Sequence, residues 1–256
     1  MFLNKILRNI KKISEIGLFE WLYLKYDIYK SNEGERIGYI RDEYIKAKEQ
    51  KIDLRDFYIS KFESDELYFI DIICDTINSF VSDDFYVVEI GSGCGLITHP
   101  LLNKEKDFKK YDSYEPDRSL RRYLLKTFAK YKTFSNFKGD GSKLVCTEDK
   151  KADLVFAFGV FTLIPIATIV SYIEESNRIL KNNGILAFDI FDTDCLSEKL
   201  INKFILQASR NDSRPFLSRR FIIKYMNHQG FELDKELRHA NEYRLFLFFR
   251  KVNKNN

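Results

Sequence analysis

The sequence Phe85-Tyr-Val-Val-Glu-Ile-Gly-Ser-Gly-Cys-Gly95 joins an apolar run to an acidic residue and three alternating glycines. The β-branched and aromatic residues before Glu89 are typical of a buried strand, and the glycines allow a tight turn with positive φ. A helix is predicted to begin at Leu96. Such a strand, turn and helix predict an α/β sheet whose ligand lies against bare backbone at the turn. The dinucleotide pattern G-x-G-x-x-G is not met, because its sixth position is leucine here.

The composition is that of a folded, globular protein. The chain has 256 residues, 45% hydrophobic and 31% charged, which suits one α/β core with an appended helical segment. No apolar run approaches the roughly 20 residues of a membrane span, and lysines and arginines interrupt the N-terminal apolar pattern too often for a signal peptide. The four cysteines are scattered without a C-x-x-C pair. We therefore expect a cytoplasmic protein without stable membrane insertion.

Charge is distributed unevenly along the chain. Residues 197–256 contain 13 Lys and Arg against 6 Asp and Glu, whereas the whole chain has a net charge of +4. A basic C-terminal part indicates either a solvated face or a contact with an anionic partner.

The periodicity divides the chain into two regions. Residues 1–80 lack strand signals and are predicted to form a helical segment that acts as a lid or an oligomer contact, and residues 81–256 form the main domain. A basic amphipathic helix begins near Phe2. It is expected to pack on its own domain or on a second subunit of a homo-oligomer, in preference to a membrane surface. Further helices are predicted over Tyr39–Lys51 and Glu66–Phe80.

Strands and helices alternate from Phe85 onward, which predicts a mostly parallel sheet with helices on both faces. The last two strand candidates lie close together around Ala240, so they are predicted to form an antiparallel hairpin that ends a seven-stranded sheet. The predicted strands are Tyr86–Ile90, Lys110–Tyr114, Thr133–Lys138, Asp153–Phe158, Gly184–Ile190, Phe231–His239 and Tyr243–Lys251. The predicted helices are Leu96–Asn103, Ser119–Tyr131 and Ala167–Leu180, the last followed by a turn at Asn182-Asn-Gly184.

Residues 85–251 resemble the class I S-adenosylmethionine-dependent methyltransferases, motif by motif and in the same order. Glu89-Ile-Gly-Ser-Gly-Cys-Gly95 is similar to the first motif, E/D-x-G-x-G-x-G, and Tyr114-Glu-Pro-Asp117 is similar to the second. Lys138-Gly-Asp-Gly141 resembles the adenine motif. Asp153-Leu-Val-Phe-Ala-Phe-Gly-Val160 resembles the fourth strand, and Arg178-Ile-Leu-Lys-Asn-Asn-Gly-Ile185 is similar to the R-x-L-K-x-G-G turn before the fifth.

The resemblance implies a Rossmann-like methyltransferase fold with S-adenosylmethionine as its cofactor. By this resemblance, Glu115 accepts from the ribose hydroxyls and Asp140 from the exocyclic amine of adenine. Ligands of open α/β sheets lie at the carboxyl ends of the strands, where both acids fall. Taken singly, each would be an ordinary strand-end or turn residue. The residues predicted to bind the cofactor are Glu89, Gly91, Ser92, Gly93, Gly95, Glu115, Pro116, Asp140, Gly141, Phe158 and Gly159.

An oxidoreductase is the rival hypothesis, because Tyr44-Ile-Lys-Ala-Lys48 matches the pattern Y-x-x-x-K. The match precedes the glycine-rich turn, whereas the pattern should follow it well downstream. Chance is the better explanation.

The segment after the fourth strand bears on the methyl acceptor. Gly159-Val-Phe-Thr-Leu-Ile-Pro165 lacks the D/N-P-P-Y/F of base and amide N-methylating enzymes. The Pro-Cys of cytosine C5 enzymes and the acidic residues of metal-dependent catechol-type enzymes have no clear counterpart, so no metal site is predicted. Thr162-Leu163 stands where many small-molecule members have a Glu-His pair, which removes the simplest general base.

A hydroxyl acceptor requires a general base. Asp192 and Asp194, beyond the fifth strand, are the first candidates, with Asp189 nearby and His99 after the glycine-rich turn. The alternative for Asp192 and Asp194 is that they cap a helix beginning near Leu196. His99 is expected within the first helix, where a structural role is the alternative.

A small molecule is the predicted acceptor. The segment Phe191–Leu217 is long enough to help build a pocket, and Arg219-Arg220 are suited to a phosphate or carboxylate. We predict O-methylation of a sugar or nucleotide-linked sugar, because size, the helical N-terminal segment and Lys/Asn/Ile/Phe usage resemble methyltransferases of bacterial surface-polysaccharide (capsule) clusters. No aromatic-basic interleaving indicates a nucleic-acid partner. An RNA methyltransferase and a catalytically inactive cofactor-binding subunit are the alternatives.

Overall fold

The computed structural model describes residues 43–104, 108–202, 215 and 217–252. Seven strands form its central sheet: β1 Tyr86–Ile90, β2 Lys110–Glu115, β3 Phe134–Lys138, β4 Ala152–Ala157, β5 Leu180–Phe191, β6 Phe231–Arg238 and β7 Arg244–Lys251. Their order across the sheet is β3-β2-β1-β4-β5-β7-β6. Strands β1 to β5 are parallel, and β7 is antiparallel to both β5 and β6. The predicted sheet, with five parallel strands ended by a hairpin, is confirmed.

Helices cover both faces of this sheet. They are α1 Leu54–Ile59, α2 Ser64–Phe80, α3 Thr98–Leu102, α4 Arg118–Thr127, α5 Ile166–Ile179 and α6 Arg219–His228. Helices α2, α3 and α4 pack on one face, where Phe156 lies in the core, and α5 and α6 pack on the other, where Val155 does. Burial on both faces explains why β1 is buried at all five positions and is apolar except at Glu89.

Two predicted boundaries are wrong at turns. The helix predicted over Leu96–Asn103 is shorter, because positive φ angles at Gly93 and Gly95 keep residues 93–97 in successive turns. Strand β5 begins at Leu180, not at Gly184, because Leu180 already pairs with Ala152 of β4. The predicted turn over 182–184 therefore lies inside a strand with an irregular register.

The other predicted elements within the described residues are also found, with ends that differ by up to four residues. Helix α4 ends at Thr127 instead of Tyr131, and the remaining ends differ by two residues or fewer. Part of the predicted helix Tyr39–Lys51 is helical, over residues 43–50, and residues 198–202 form a further helical turn. The amphipathic helix predicted near Phe2 lies outside the described residues. Among the described helices, none is both long and apolar enough to cross a bilayer.

The helices before β1 pack on the domain that follows them. Phe69 and Ile73 of α2 belong to the core of the sheet. Residues 43–50 and α1 form a smaller cluster that also contains Cys94 of the glycine-rich turn and Leu120 of α4. Residues 43–50 and α1 thus pack against the glycine-rich turn, while the division of the chain near residue 80 stays a prediction.

Alanine substitutions at Gly95 and Gly93 should separate packing from backbone strain. Both glycines have positive φ, but a Cβ at Gly95 would lie 3.0 Å from the Phe128 ring, whereas one at Gly93 meets no atom within 4 Å. We expect Gly93→Ala to lower the free energy of unfolding by about 1 kcal/mol, and Gly95→Ala to lower it by roughly 1–3 kcal/mol more. Urea denaturation measures both. Equal losses would show that the contact with Phe128 contributes nothing.

Candidate functional site

In the glycine-rich turn after β1, the first and third glycines are packed against side chains, whereas the middle glycine is not. Gly91, Gly93 and Gly95 have φ of +70°, +55° and +77°. A Cβ at Gly91 would overlap the side chain of Val160, and one at Gly95 would press on Phe128. At Gly93 the space is empty within 4 Å. The outer glycines therefore allow close packing, and the middle one presents bare backbone to a ligand.

Glu89 and Ser92 lie beneath this turn. Glu89 is 3% exposed, and its Oε2 accepts hydrogen bonds from the hydroxyls of Thr98 at 2.5 Å and Tyr111 at 2.7 Å. Burial raises the pKa of Glu89 to about 7, although these hydroxyls oppose it. The buried hydroxyl of Ser92 pairs with that of Ser113 in β2. Glu89 thus connects the end of β1 to α3 and β2, and Ser92 connects the turn to β2.

Glu115 ends β2 and contacts the middle of the turn. Its Oε2 accepts from the Gly93 N–H and its Oε1 from the Asp117 N–H, both at 2.9 Å. Burial raises the pKa of Glu115 to about 7. A carboxylate offers about four acceptor positions, so about two remain for hydroxyl donors of a ligand beside Gly93.

The next turns along the same edge contain Pro116 and Asp140. Pro116 is exposed, and its carbonyl accepts from Nη1 of Arg121 at 2.5 Å. Asp140 is exposed after β3; its burial is slight, and backbone hydrogen bonds lower its pKa. Gly141 has a φ of +84° and no atom within 4 Å of an added Cβ. This turn stays next to β2, because the Gly139 N–H donates to the carbonyl of Glu115 at 3.3 Å.

Phe158 and Gly159 form the turn after β4. Gly159 has a φ of +69° and open space at its Cβ position. Its N–H donates to Oδ1 of Asp189 at 2.8 Å, and Asp189 is fully buried in β5. The Arg244 guanidinium lies 4.6 Å from the centroid of the Phe158 ring. The predicted cofactor residues thus line the adjacent ends of β3, β2, β1 and β4.

Asp192 is buried and accepts several hydrogen bonds. Its Oδ1 accepts from the N–H groups of Arg219 at 2.9 Å and Asp194 at 3.3 Å, and its Oδ2 lies 3.4 Å from the Cys195 thiol. It caps a short 3₁₀ helix, Thr193–Cys195. Capping, the alternative considered for Asp192, therefore occurs, but at this helix and not at one beginning near Leu196. Asp194 is exposed in the same short helix.

His99 lies apart from both aspartates. It is half-buried on α3, with its ring centroid 6.1 Å from that of Phe128 and its Nδ1 2.9 Å from the Asn103 amide nitrogen. Burial lowers the pKa of His99.

His99 lies on α3, after β1, whereas Asp192 and Asp194 follow β5, and β4 lies between β1 and β5 in the sheet. The structure therefore does not bring His99 to the two aspartates, and the roles of all three stay predictions. Asp189, the fourth candidate, is fully buried and bonded to Arg244.

Two residues that hold the site were missed from the sequence. Arg244 bonds to Asp189, and Thr98 bonds to Glu89. A signal for the first existed, because Asp189 lies between Phe188 and Ile190 in a buried strand, and a buried acid needs hydrogen-bond donors or a cation as partners. Nothing in the sequence singled out Thr98. Among the described residues, no group of three or more His, Cys, Asp and Glu is arranged to hold a metal ion.

Comparison with known proteins gives the same family as the motifs. A family model described as a methyltransferase domain matches residues 40–236. No curated protein sequence matches the chain significantly.

Solved structures with this fold include several methyltransferases. The chain is similar to a SAM-dependent methyltransferase from Aquifex aeolicus, with a TM-score of 0.52 and 16% identity over 70% of this chain and 88% of that one. It is similar to one from Methanosarcina mazei, with a TM-score of 0.58 and 15% identity over 70% and 98%. For a geranyl diphosphate methyltransferase in complex with SAM, the TM-score is 0.61 and the identity 10%, over 78% and 90%. At such identities the likeness is one of fold, and the predicted Rossmann-like methyltransferase fold is confirmed.

The raised pKa of Glu89 should make stability depend on pH. The folded protein keeps the Glu89 proton to about pH 7, whereas the ordinary pKa of a glutamate side chain is 4.5. The contribution of the protonated Glu89 to the free energy of unfolding is fully present below pH 4.5 and is lost as the pH rises through 7. Glu89→Gln keeps an oxygen for both hydroxyls and removes the titration.

The wild type should lose stability between pH 4.5 and 8, whereas Glu89→Gln should not. We therefore expect the difference in free energy of unfolding, variant minus wild type, to rise by up to about 3 kcal/mol over this range. Urea denaturation at several pH values measures this gain. Glu148→Gln is the control, because the Glu148 side chain is 81% exposed. Parallel pH profiles for wild type and Glu89→Gln would refute the assignment.

Proposed function

The chain belongs to the methyltransferase-domain family, and from this membership we propose that it binds S-adenosylmethionine and transfers its methyl group to a small molecule. The observation that carries the proposal is the open backbone face of Gly93 beside the buried carboxylate of Glu115. A cytoplasmic location is part of the proposal, supported by four free cysteines.

The residues at this edge suit the chemical groups of S-adenosylmethionine. Its ribose hydroxyls need acceptors, which Glu115 offers, and its adenine amine needs one, which Asp140 offers after β3. The open Cβ positions of Gly93 and Gly159 leave room along the edge. When bound, the cofactor supplies a methyl group activated by a sulfonium. The protein's own part is alignment of acceptor and cofactor, exclusion of water and, for a hydroxyl acceptor, removal of a proton.

We propose a sugar hydroxyl as the acceptor, free or nucleotide-linked, as in surface-polysaccharide synthesis. The turn after β4 supports a non-planar acceptor, since Phe161 is buried in the core and Val160 packs beside Gly91, so neither replaces the aromatic residue of D/N-P-P-Y/F. Of the candidate bases, Asp194 is exposed beyond β5 and is kept as the proposed proton acceptor.

The charges of the C-terminal part do not favour RNA. Residues 217–252 contain five arginines, and four of them pair with carboxylates: Arg219, Arg238, Arg244 and Arg250. This pairing offsets much of the basic excess there. It also engages Arg219, which was predicted to bind an anion, so the sugar itself should contribute most of the recognition.

Methyl-labelled S-adenosylmethionine tests the acceptor. The full chain is incubated with free sugars, with nucleotide-linked sugars and with RNA at equal concentrations. Mass spectrometry then identifies which product carries the labelled methyl group. We expect label in a sugar. Label in RNA would favour the alternative enzyme, and tight binding of S-adenosylhomocysteine without labelling of any acceptor would favour an inactive subunit.

Removal of the Glu115 carboxylate should weaken cofactor binding. We expect Glu115→Ala to reduce the affinity for S-adenosylmethionine by about 1–3 kcal/mol, because buried ribose hydroxyls lose their acceptor. Isothermal titration calorimetry measures the affinity, at a temperature where circular dichroism shows the variant folded. Glu148→Ala, at an exposed position, serves as the control. An unchanged affinity in Glu115→Ala, or binding of a nicotinamide dinucleotide in its place, would contradict the assignment.

A further inference from the structure

We infer that Arg244 is a positioning residue that fixes the turn after β4 against the cofactor, by bridging Asp189 in the sheet and Glu66 in helix α2. The inference rests on the proposed function, because that turn borders the proposed S-adenosylmethionine site. The contacts form a chain from Glu66 through Arg244 and Asp189 to the backbone of Gly159.

Arg244 lies between two carboxylates and is itself 12% exposed. Its Nε and Nη2 donate to Oδ2 of Asp189 at 3.0 and 2.7 Å, and its Nη1 donates to Oε1 of Glu66 at 2.5 Å. Three donors of one planar guanidinium are therefore directed at two elements. This geometry fixes the relative positions of the Asp189 and Glu66 carboxylates more strictly than a flexible ammonium would. Low exposure strengthens these hydrogen bonds further.

Asp189 connects Arg244 to the backbone of the turn after β4. Its Oδ2 is held by Arg244, so its Oδ1 is fixed where it accepts the Gly159 N–H at 2.8 Å. Gly159 has positive φ and no side chain to anchor it, and this hydrogen bond supplies an anchor. The neighbouring Phe158 stacks on the same guanidinium at 4.6 Å. Both residues of the turn thus depend on the position of one side chain.

Glu66 connects the same contacts to α2 and to the hairpin. It lies in the first turn of α2, and its Oε2 is 3.4 Å from Nε2 of His239. Nδ1 of His239 accepts from the Asn241 N–H at 3.0 Å, and the His239 ring packs edge-on against Phe69 of α2, with ring centroids 5.0 Å apart. The turn between β6 and β7 is therefore joined to α2.

Holding the hairpin in place does not require Arg244. Strands β5 and β7 already pair at seven consecutive positions, from Ile185 opposite Arg250 to Phe191 opposite Arg244. What the sheet does not fix is the backbone beyond the end of β4. That backbone matters to the site because Val160, one residue after Gly159, packs against Gly91 of the glycine-rich turn.

The matched pair Arg244→Lys and Arg250→Lys tests the inference. Both arginines lie in β7 and pair with an aspartate. Arg250, however, lies at the other end of the strand, where it bonds to Asp234 through Nε at 3.1 Å and Nη2 at 3.2 Å. Each variant keeps the charge and loses the planar fork. Glu66→Gln is the third variant, because it weakens the bridge and leaves Asp189 intact.

Three measurements are made on the full chain: the thermal midpoint, hydrogen–deuterium exchange of the Gly159 amide, and S-adenosylmethionine affinity by calorimetry. In Arg244→Lys we expect faster exchange at Gly159 and an affinity reduced roughly 3- to 30-fold. Glu66→Gln should shift both in the same direction by less. Arg250→Lys should change neither, even where its thermal midpoint falls.

The outcomes separate this inference from the proposed function. If the wild type does not bind S-adenosylmethionine, the proposed function fails, while exchange at Gly159 still tests the bridge. If the wild type binds and Arg244→Lys keeps both its affinity and its protected Gly159 amide, the inference is wrong. A loss of affinity equal in Arg244→Lys and Arg250→Lys would also overturn it, since it would show a general effect on stability.

Discussion

The bend of the chain after β1 is the constraint on which the site depends. It places three positive φ angles within five residues, at Gly91, Gly93 and Gly95, and two of these positions are packed against side chains from other layers. Val160 comes from the turn after β4, and Phe128 follows helix α4. The glycines of the bend therefore let the turn after β4 and the end of helix α4 pack closely against it. Any side chain at its outer glycines would separate these layers, whereas the middle glycine remains open.

Three buried carboxylates support this edge, and each is accommodated differently. Glu89 is met by hydroxyls and Glu115 by backbone N–H groups, and burial raises the pKa of both to about 7. Asp189 is met by the guanidinium of Arg244. Neutral donors compensate only partly for the desolvation of a carboxylate. At Asp189 the charge of the guanidinium opposes this desolvation, although burial still raises the pKa of the Asp189 carboxyl. The ends of β1 and β2 therefore hold groups that titrate near neutral pH, and the end of β5 holds an ion pair.

The fold was predictable because its signals are local. Apolar runs of strand length, the glycine spacing and the short connection around Ala240 sufficed for a seven-stranded sheet with a terminal hairpin. The start of β5 was not predictable, because pairing of Leu180 with Ala152 outweighs the turn preference of the asparagines that follow. The predicted cofactor residues lie together for a related reason: they are backbone or strand-end groups, and topology alone places strand ends together.

The residues that support the site were much harder to predict, because their partners are distant in the sequence. Arg244 is 178 residues from Glu66 and 55 from Asp189, and no periodic pattern links such positions. Asp192 is a related case, and its role as a base stays a prediction. Its position beyond β5 indicated a base, yet the carboxylate accepts hydrogen bonds from Arg219 and Asp194 and caps a short helix. A side chain at the correct edge of a sheet is therefore a candidate only until its own hydrogen bonds are known. The predicted general bases are side chains of this kind, whereas most of the predicted cofactor residues are glycines or strand-end groups whose positions the topology sets, so the sequence specifies the cofactor more fully than the acceptor.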